Sequence, residues 1–174
     1  FQYYDEEAMT DPMVVTTGTR HAGTDLFNTV NADIFAEFNK ATLSVTGTAF
    51  DFGVFVDAAA KLNLENLEGV SIFGFVCAAD MAKIRKALKD DLKYVEAFAR
   101  TGYVGTVGGI NLYTKKDAVE GTVIIGTKEA VTLFNKKGTE VEQERDSNIR
   151  QTSVYSRKYY LAALTDETKT VKIT

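Results

Sequence analysis

From Ala130 to Thr174 the chain alternates apolar and polar side chains over long stretches, and this pattern restricts the possible folds more than any other feature. Successive side chains of a strand point to opposite faces, so a period of two sets one face on a core and leaves the other in water. The pattern predicts long half-buried strands with a charged crossing at Glu144-Arg145-Asp146. A compact closing hairpin is expected from Tyr159–Leu164, a turn at Thr165–Thr168, and Val171–Ile173. Glu140, Glu142 and Glu144 alternate along one predicted strand and therefore share a face, with Lys136, Lys137, Arg145 and Arg150 near them in sequence. Ion pairing between strands or between subunits is the simplest fate for these charges. A chain that gives about a quarter of its length to wet, charged sheet suits building material better than a catalyst.

With 174 residues and 45% apolar content, the chain can bury one good core or two small connected ones. A net charge of −4 and a pI near 5.1 give no global pull towards nucleic acid or an anionic membrane. Charge is uneven: Phe1–Asp90 holds 7 Lys and Arg against 13 Asp and Glu, and Asp91–Thr174 holds 13 against 11. Complementary halves of this kind suit head-to-tail self-association. The single Cys77 sits in the apolar run Val70–Cys77, which reads as a buried, inert thiol in a reducing setting. No apolar stretch approaches the roughly 20 residues of a membrane span, and no signal peptide is visible. Because the first residue is Phe1 rather than Met, the chain is expected to be a piece of a longer product.

Pro12 is the only proline, so glycine must punctuate the rest. Phe1–Arg20 reads as an exposed lead-in with a short β-prone run, Met13–Thr17. Thr24–Ala41 carries an apolar stripe of Leu26, Phe27, Val30, Ile34, Phe35 and Phe38, which predicts a helix capped by Thr24 or Asp25. A second helix is expected over Asp51–Leu62, capped by Thr48 or Asp51, with Phe52, Phe55, Val56, Ala59 and Leu62 inward. Val70–Cys77, a run apolar but for Ser71, predicts a central strand buried on both faces. Helix Asp80–Lys89 follows, with Met81, Ile84 and Leu88 inward and its lysines solvated. Then come a glycine turn at Gly102–Gly109, a strand Ile110–Tyr113, a tip loop Lys115-Lys116-Asp117 and a strand Thr122–Ile125. The fold class is α+β, in two lobes, one made of the middle segment and one of both ends.

Candidate chemistry is sparse. The glycine turn lacks the Lys-Ser/Thr ending of a phosphate loop and precedes a strand rather than a helix. His21 is the only histidine, and no nucleophile motif accompanies it. One His and one Cys cannot supply the usual zinc ligands. Asp5-Glu6-Glu7 and Glu140, Glu142 and Glu144 are acidic enough for a hard cation or acid–base work, yet the neighbouring cations favour ion pairing. Tyr155, Tyr159 and Tyr160 read as sheet and interface aromatics. The sequence calls for no cofactor, no metal and no catalytic residue.

Four segments together resemble the tailed-bacteriophage major capsid protein family. They are Tyr4–Pro12; the helix Asp51–Leu62 with Gly74–Cys77 and Ala79–Lys86; the turn and strand Gly102–Tyr113; and Val141–Asp146 with Tyr159–Leu161 and Asp166–Ile173. Their order and spacing extend over nearly the whole chain. The resemblance implies a peripheral domain with a spine helix at Thr24–Ala41 and long C-terminal strands, and an axial domain of central sheet and flanking helices. On that plan residues 1–42 and 129–174 are peripheral and 43–128 axial. The family's N-terminal arm and most of its extended loop are expected to be missing, since about twenty residues precede the spine helix.

The implied function is structural, a shell subunit that self-assembles into hexamers and pentamers around phage or prophage DNA, inside the virion and built in the bacterial cytoplasm. Implied partners are other copies, with scaffold, portal and maturation protease, and weak salt-dependent contact with packaged DNA. Glu140, Glu142, Glu144, Arg145, Asp146 and Arg150, with Lys115, Lys116 and Asp117, are the candidate subunit contacts. Loops around Tyr94–Gly102 or Lys115–Glu120 are candidates for the capsomer centre. Two alternatives stand beside this: an encapsulin-like compartment of the same fold, and a small α/β ligand-binding domain using the glycine turn.

Overall fold

Pro12 lies just before the longest helix, where a fixed backbone and a missing N–H cost nothing. The Asp11 carboxylate accepts the Met13 N–H at 2.9 Å, and the Val14 N–H donates to Asp11 O at 3.1 Å. The computed structural model describes residues 1–47, 52–62, 64, 70–88 and 105–174. In chain order the elements are β1 (Gln2–Tyr4), α1 (Asp5–Thr10), α2 (Met13–Phe38), β2 (Leu43–Val45), α3 (Phe52–Lys61), β3 (Ile72–Val76) and α4 (Ala78–Ala87). They continue as β4 (Thr106–Val107), β5 (Ile110–Thr114), β6 (Val123–Gly126), β7 (Val131–Asp146), β8 (Gln151–Leu164), a 3-10 turn at Glu167–Lys169 and β9 (Thr170–Ile173).

The N-terminal expectation needs correction. The supposed lead-in is a strand and a short helix, and the β-prone run Met13–Thr17 is the start of α2. Thr24 and Asp25 lie inside the helix and cap nothing. Strand propensity is a weak local preference that tertiary context overrides here. Further along α2, threonine hydroxyls donate to carbonyls four residues earlier, Thr19 to Val15, Thr24 to Arg20 and Thr29 to Asp25. The apolar stripe is narrower than expected: Val30, Phe35 and Phe38 are buried, but Phe27 is 66% exposed. In α3, Phe55, Ala58 and Ala59 are buried, whereas Phe52 and Val56 face water. The expected caps Thr48 and Asp51 lie outside the described residues, as does the loop Tyr94–Gly102.

Contacts group the chain into two units, residues 1–34 with 133–163, and residues 35–132 with 164–174. The second unit holds a six-stranded sheet in the order β2-β9-β6-β3-β5-β4. β3 is parallel to β5 and antiparallel to β6, and it is the central strand that the apolar run predicts. Its Ile72, Gly74 and Val76 face a core shared with Phe55, Ala59 and Leu62 of the α3 segment and Met81, Ile84 and Leu88 of the α4 segment. Gly74 makes that face possible, because a Cβ there would lie 3.1 Å from Leu112 and 3.2 Å from Ile110. On the opposite face Phe73 and Phe75 meet the last turn of α2, with Phe35–Phe75 and Phe38–Phe73 edge-to-face at 5.5 Å.

β9 corrects the expected closing hairpin. It does not fold back on β8 but inserts between β2 and β6, Val171 pairing with Leu43 on one side and Ile125 on the other. The 3-10 turn leads directly into β9, with the Asp166 carboxylate accepting the Thr168 N–H at 2.9 Å. β4 and β5 are joined by Gly108-Gly109, both at positive φ (55° and 82°), the demand of a two-residue hairpin turn. That structural role accounts for the described end of the glycine stretch; Gly102, Tyr103 and Val104 lie outside the described residues.

The first unit carries a three-stranded sheet, β1-β8-β7. β1 pairs antiparallel with the start of β8, Gln2 with Ser153 and Tyr4 with Gln151. Val154 and Thr152 of β8 and Val30 of α2 are buried, and the Tyr160 hydroxyl donates to the Asp33 carboxylate. Phe55, fully buried in the six-stranded unit, is the plainest test of that core. Phe55→Ala is expected to lower unfolding free energy by about 3–5 kcal/mol, a large share of a domain's total, read by urea denaturation.

Candidate interaction surface

β7 and β8 run for 16 and 14 residues, so the hairpin arm is about 50 Å long at roughly 3.3 Å per residue. Its turn, residues 147–150, is closed by the Asn148 N–H donating to the Asp146 carboxylate at 2.9 Å and by Arg150 in the left-handed region (φ 53°). The Asp5 N–H donates to Arg150 O at 3.0 Å, so α1 starts against the turn. Along β8 the alternation is strict at first: Thr152 and Val154 point inward, while Tyr155, Arg157, Tyr159 and Leu161 are exposed.

β7 buries almost nothing beyond its first three residues, and only Glu140 among the rest is partly covered. Glu140, Glu142 and Glu144 do share one face, as their spacing requires. The partner of Glu142 is Arg157 of β8, which the sequence reading missed because proximity along the chain pointed to nearer cations. Lys137 pairs with Glu140. Hydrogen bonding with Tyr159 and the charge of Glu142 push the Arg157 guanidinium further up. These side chains, with Lys136, border an open groove of about 390 Å³, and Phe134 and Leu161 continue it along the arm.

Arg145 takes the other face. Its Nη2 donates to the Asp5 carboxylate at 2.6 Å, tying the arm to α1. Asp146 is spent on the turn, and Glu144 and Arg150 stay exposed. The nine candidate contacts therefore separate. Glu140 and Glu142 meet in the groove, Glu144 lies on the same face, and Arg145, Asp146 and Arg150 serve the tip of the arm.

Lys115, Lys116 and Asp117 belong to the other unit, in the connection from β5 to β6. Lys115 is engaged: its N–H donates to Val76 O at 2.9 Å, and its ammonium lies 5.6 Å from the Phe35 ring centroid and 3.3 Å from Asp117. Lys116 is exposed. The same connection is latched further on by Asp80, a buried carboxylate near the start of α4. Asp80 accepts the Gly121 N–H at 2.7 Å, the Cys77 thiol at 3.3 Å and the Lys83 ammonium at 3.0 Å, and Lys83 also reaches Glu120 at 2.8 Å. Cys77 is buried, as expected, and its sulfur also caps α4 by accepting the Asp80 N–H. His21 lies exposed on α2, and among the described residues no group of three His, Cys, Asp or Glu could hold a metal.

No protein-family model matches the chain. Over 157 residues it is 32% identical to the major capsid protein of Staphylococcus phage phiMR11, covering 84% of this chain and 54% of that protein. The chain thus spans about half the length of the curated relative it matches. Among solved structures, one from Mycobacterium phage Che8 superposes with a TM-score of 0.75 at 17% identity, covering 100% of this chain and 68% of that one. The capsid of a native GTA particle gives 0.74 at 14% identity, with 99% and 69% covered. The capsid of cyanophage P-SCSP1u gives 0.67 at 14% identity, also with 99% and 69% covered. The mixed helix-and-sheet fold is the phage-capsid fold that the resemblance implies.

Asp80 supplies a pH test. Burial pushes its carboxyl up, but hydrogen bonds from Lys83, Gly121 and Cys77 outweigh this, and the group titrates below the ordinary aspartate value. A lowered folded value means its stabilisation is complete above the unfolded value of about 3.9 and is lost as pH falls through the folded one. Asp80→Asn is expected to melt lower at pH 7. It should also lose Tm less steeply than the parent below about pH 4, which thermal unfolding across pH 2–7 would show.

Proposed function

We propose that this chain, which belongs to the tailed-phage major capsid protein family, builds part of the icosahedral shell that encloses phage DNA. The observation that carries the reading is the 32% identity over 84% of the chain to a phage major capsid protein. The exposed charged arm supplies what a shell subunit needs. Each subunit touches several neighbours, so contacts that are individually modest add through multivalency and still let misplaced subunits leave. Charge pairs at such rims set register and partner choice more than affinity.

In this reading the role is structural and non-enzymatic, and the location is the virion. The peripheral domain, expected at 1–42 and 129–174, then corresponds to the unit of residues 1–34 and 133–163, and the axial domain, expected at 43–128, to that of 35–132 and 164–174. Glu140, Glu142, Glu144, Arg145, Asp146 and Arg150 form a subunit contact. Lys116, with the latched Lys115–Glu120 connection, is presented toward the capsomer centre. Partners are other copies in hexamers and pentamers, with scaffold, portal and maturation protease during assembly in the host cytoplasm. With a net charge of −4, contact with packaged DNA is weak and falls with salt. Among the described residues no helix is long and apolar enough to cross a membrane. A compartment enclosing an enzyme is not favoured, since the curated relative is a phage protein.

Electron microscopy with light scattering on the whole gene product is the direct test, and closed shells or capsomer rings are the expected outcome. A monomer at every salt concentration, with scaffold supplied, would sink the reading. Charge reversal tests the contact surface. Arg145→Glu also sets a carboxylate against Asp5, so Glu144→Lys is the cleaner variant. It should leave the monomer's Tm unchanged while reducing assembly; intact assembly would remove Glu144 from the contact.

A further inference from the structure

β7 is the terminal strand of its sheet, and among the described residues no strand pairs with its outer edge. Sixteen residues of edge present a row of unpaired N–H and C=O groups, a template for another strand. Short length and proline, two usual safeguards, are both missing, since the only proline is Pro12. The remaining safeguard is charge, and here the charges are segregated: Lys136 and Lys137 come first, then Glu140, Glu142 and Glu144. Antiparallel pairing of two identical strands would bring the basic part of each against the acidic part of the other.

We propose that the outer edge of β7 pairs antiparallel with β7 of a second copy, about a two-fold axis through Thr139. This deepens the self-association proposed above and rests on that reading for where the pairing is used. A two-fold perpendicular to the sheet keeps each face on its own side, so the axis must pass through a residue position. Centred on Glu140, the pairing sets that carboxylate against its own copy. Centred on Val141, it sets Glu140 against Glu142 and Lys137 against Arg145. Centred on Gly138, it sets Lys136 opposite Glu140 but brings two glycines, which offer no side-chain contact, together at the axis. Centred on Thr139, it sets Lys136 opposite Glu142 twice, Glu140 opposite Gly138, Asn135 opposite Gln143, and the Thr139 hydroxyls opposite each other. Opposite charges and paired threonines are the favourable cross-strand neighbours, and like charges directly opposite are the unfavourable ones. Glu142 would then lie between Arg157 of its own chain and Lys136 of the second copy. Among the described residues no carboxylate forms an ion pair with Lys136.

The test is thiol cross-linking, for which the chain is well suited because its single cysteine, Cys77, is buried. Directly opposed residues have Cα atoms about 4.5–5.5 Å apart, within the span of a disulfide. Thr139→Cys should give disulfide-linked dimers under mild oxidation, and Val141→Cys, which would face Lys137, should give few. Lys136→Glu in the Thr139→Cys background should slow linking about tenfold, and adding Glu142→Lys should restore it. Equal linking at 139 and 141, or no rescue by the double reversal, overturns the proposal. Shells that form with the Thr139→Cys thiols still free overturn the strand pairing and leave the capsid reading standing. Linked dimers from a protein that never builds larger particles support the pairing and count against the capsid reading.

Discussion

The larger unit is organised around a position that has no side chain. Gly74 sits mid-way along β3, and the space a Cβ would need there is filled by Leu112, Ile110 and Ile125 from the strands on either side. That close approach lets β3 bury one face under α3 and α4 while Phe73 and Phe75 turn to the last turn of α2. From the same strand come the supports of the β5–β6 connection, since Val76 holds Lys115 and the chain immediately after it carries Cys77 and Asp80. Packing at the centre of the sheet thus decides which loop reaches solvent and in what shape.

Energy is distributed differently in the arm. Its ion pairs are exposed, so solvent and salt screen them, and they add little to the stability of the folded chain. Tyr155, Tyr159 and Leu161 stand in water beside them rather than in a core. A surface that contributes so little to its own fold is free to change its partners without unfolding. In the proposed shell reading, a core that fixes shape is thereby separated from a rim that selects neighbours.

What could be read from the sequence follows the range of the forces involved. Val70–Cys77 announced a central strand because its residues are nearly all apolar, although only the Ile72, Gly74 and Val76 face is fully buried and Phe73 and Phe75 are half-buried. Met81, Ile84 and Leu88 marked the inner face of α4 at helical spacing. The shared face of Glu140, Glu142 and Glu144 followed from strand geometry alone. The N-terminal half of α2 did not, because Met13–Thr17 favours strand locally and is overruled by its surroundings. The Asp80 latch was hidden too: Gly121 and Glu120 lie about forty residues away, and no local pattern links them to an aspartate at a helix start. β9 was misassigned for a similar reason. Four apolar-polar residues after a turn fit a hairpin equally well, and only tertiary pairing shows that their neighbours are β2 and β6.

The place of β9 has a consequence for synthesis. It is the last described strand to leave the ribosome, yet it fills an interior slot of the six-stranded sheet. Val45 must wait for Ile173, 128 residues further on, before its own pairing is complete. Until then one edge of β6, with Val123 and Ile125, has no neighbour, and β2 has no place in the sheet. Contacts so distant along the chain close slowly, because loop entropy must be overcome before they reward it. Synthesis must therefore run through β9 before the six-stranded sheet can be completed.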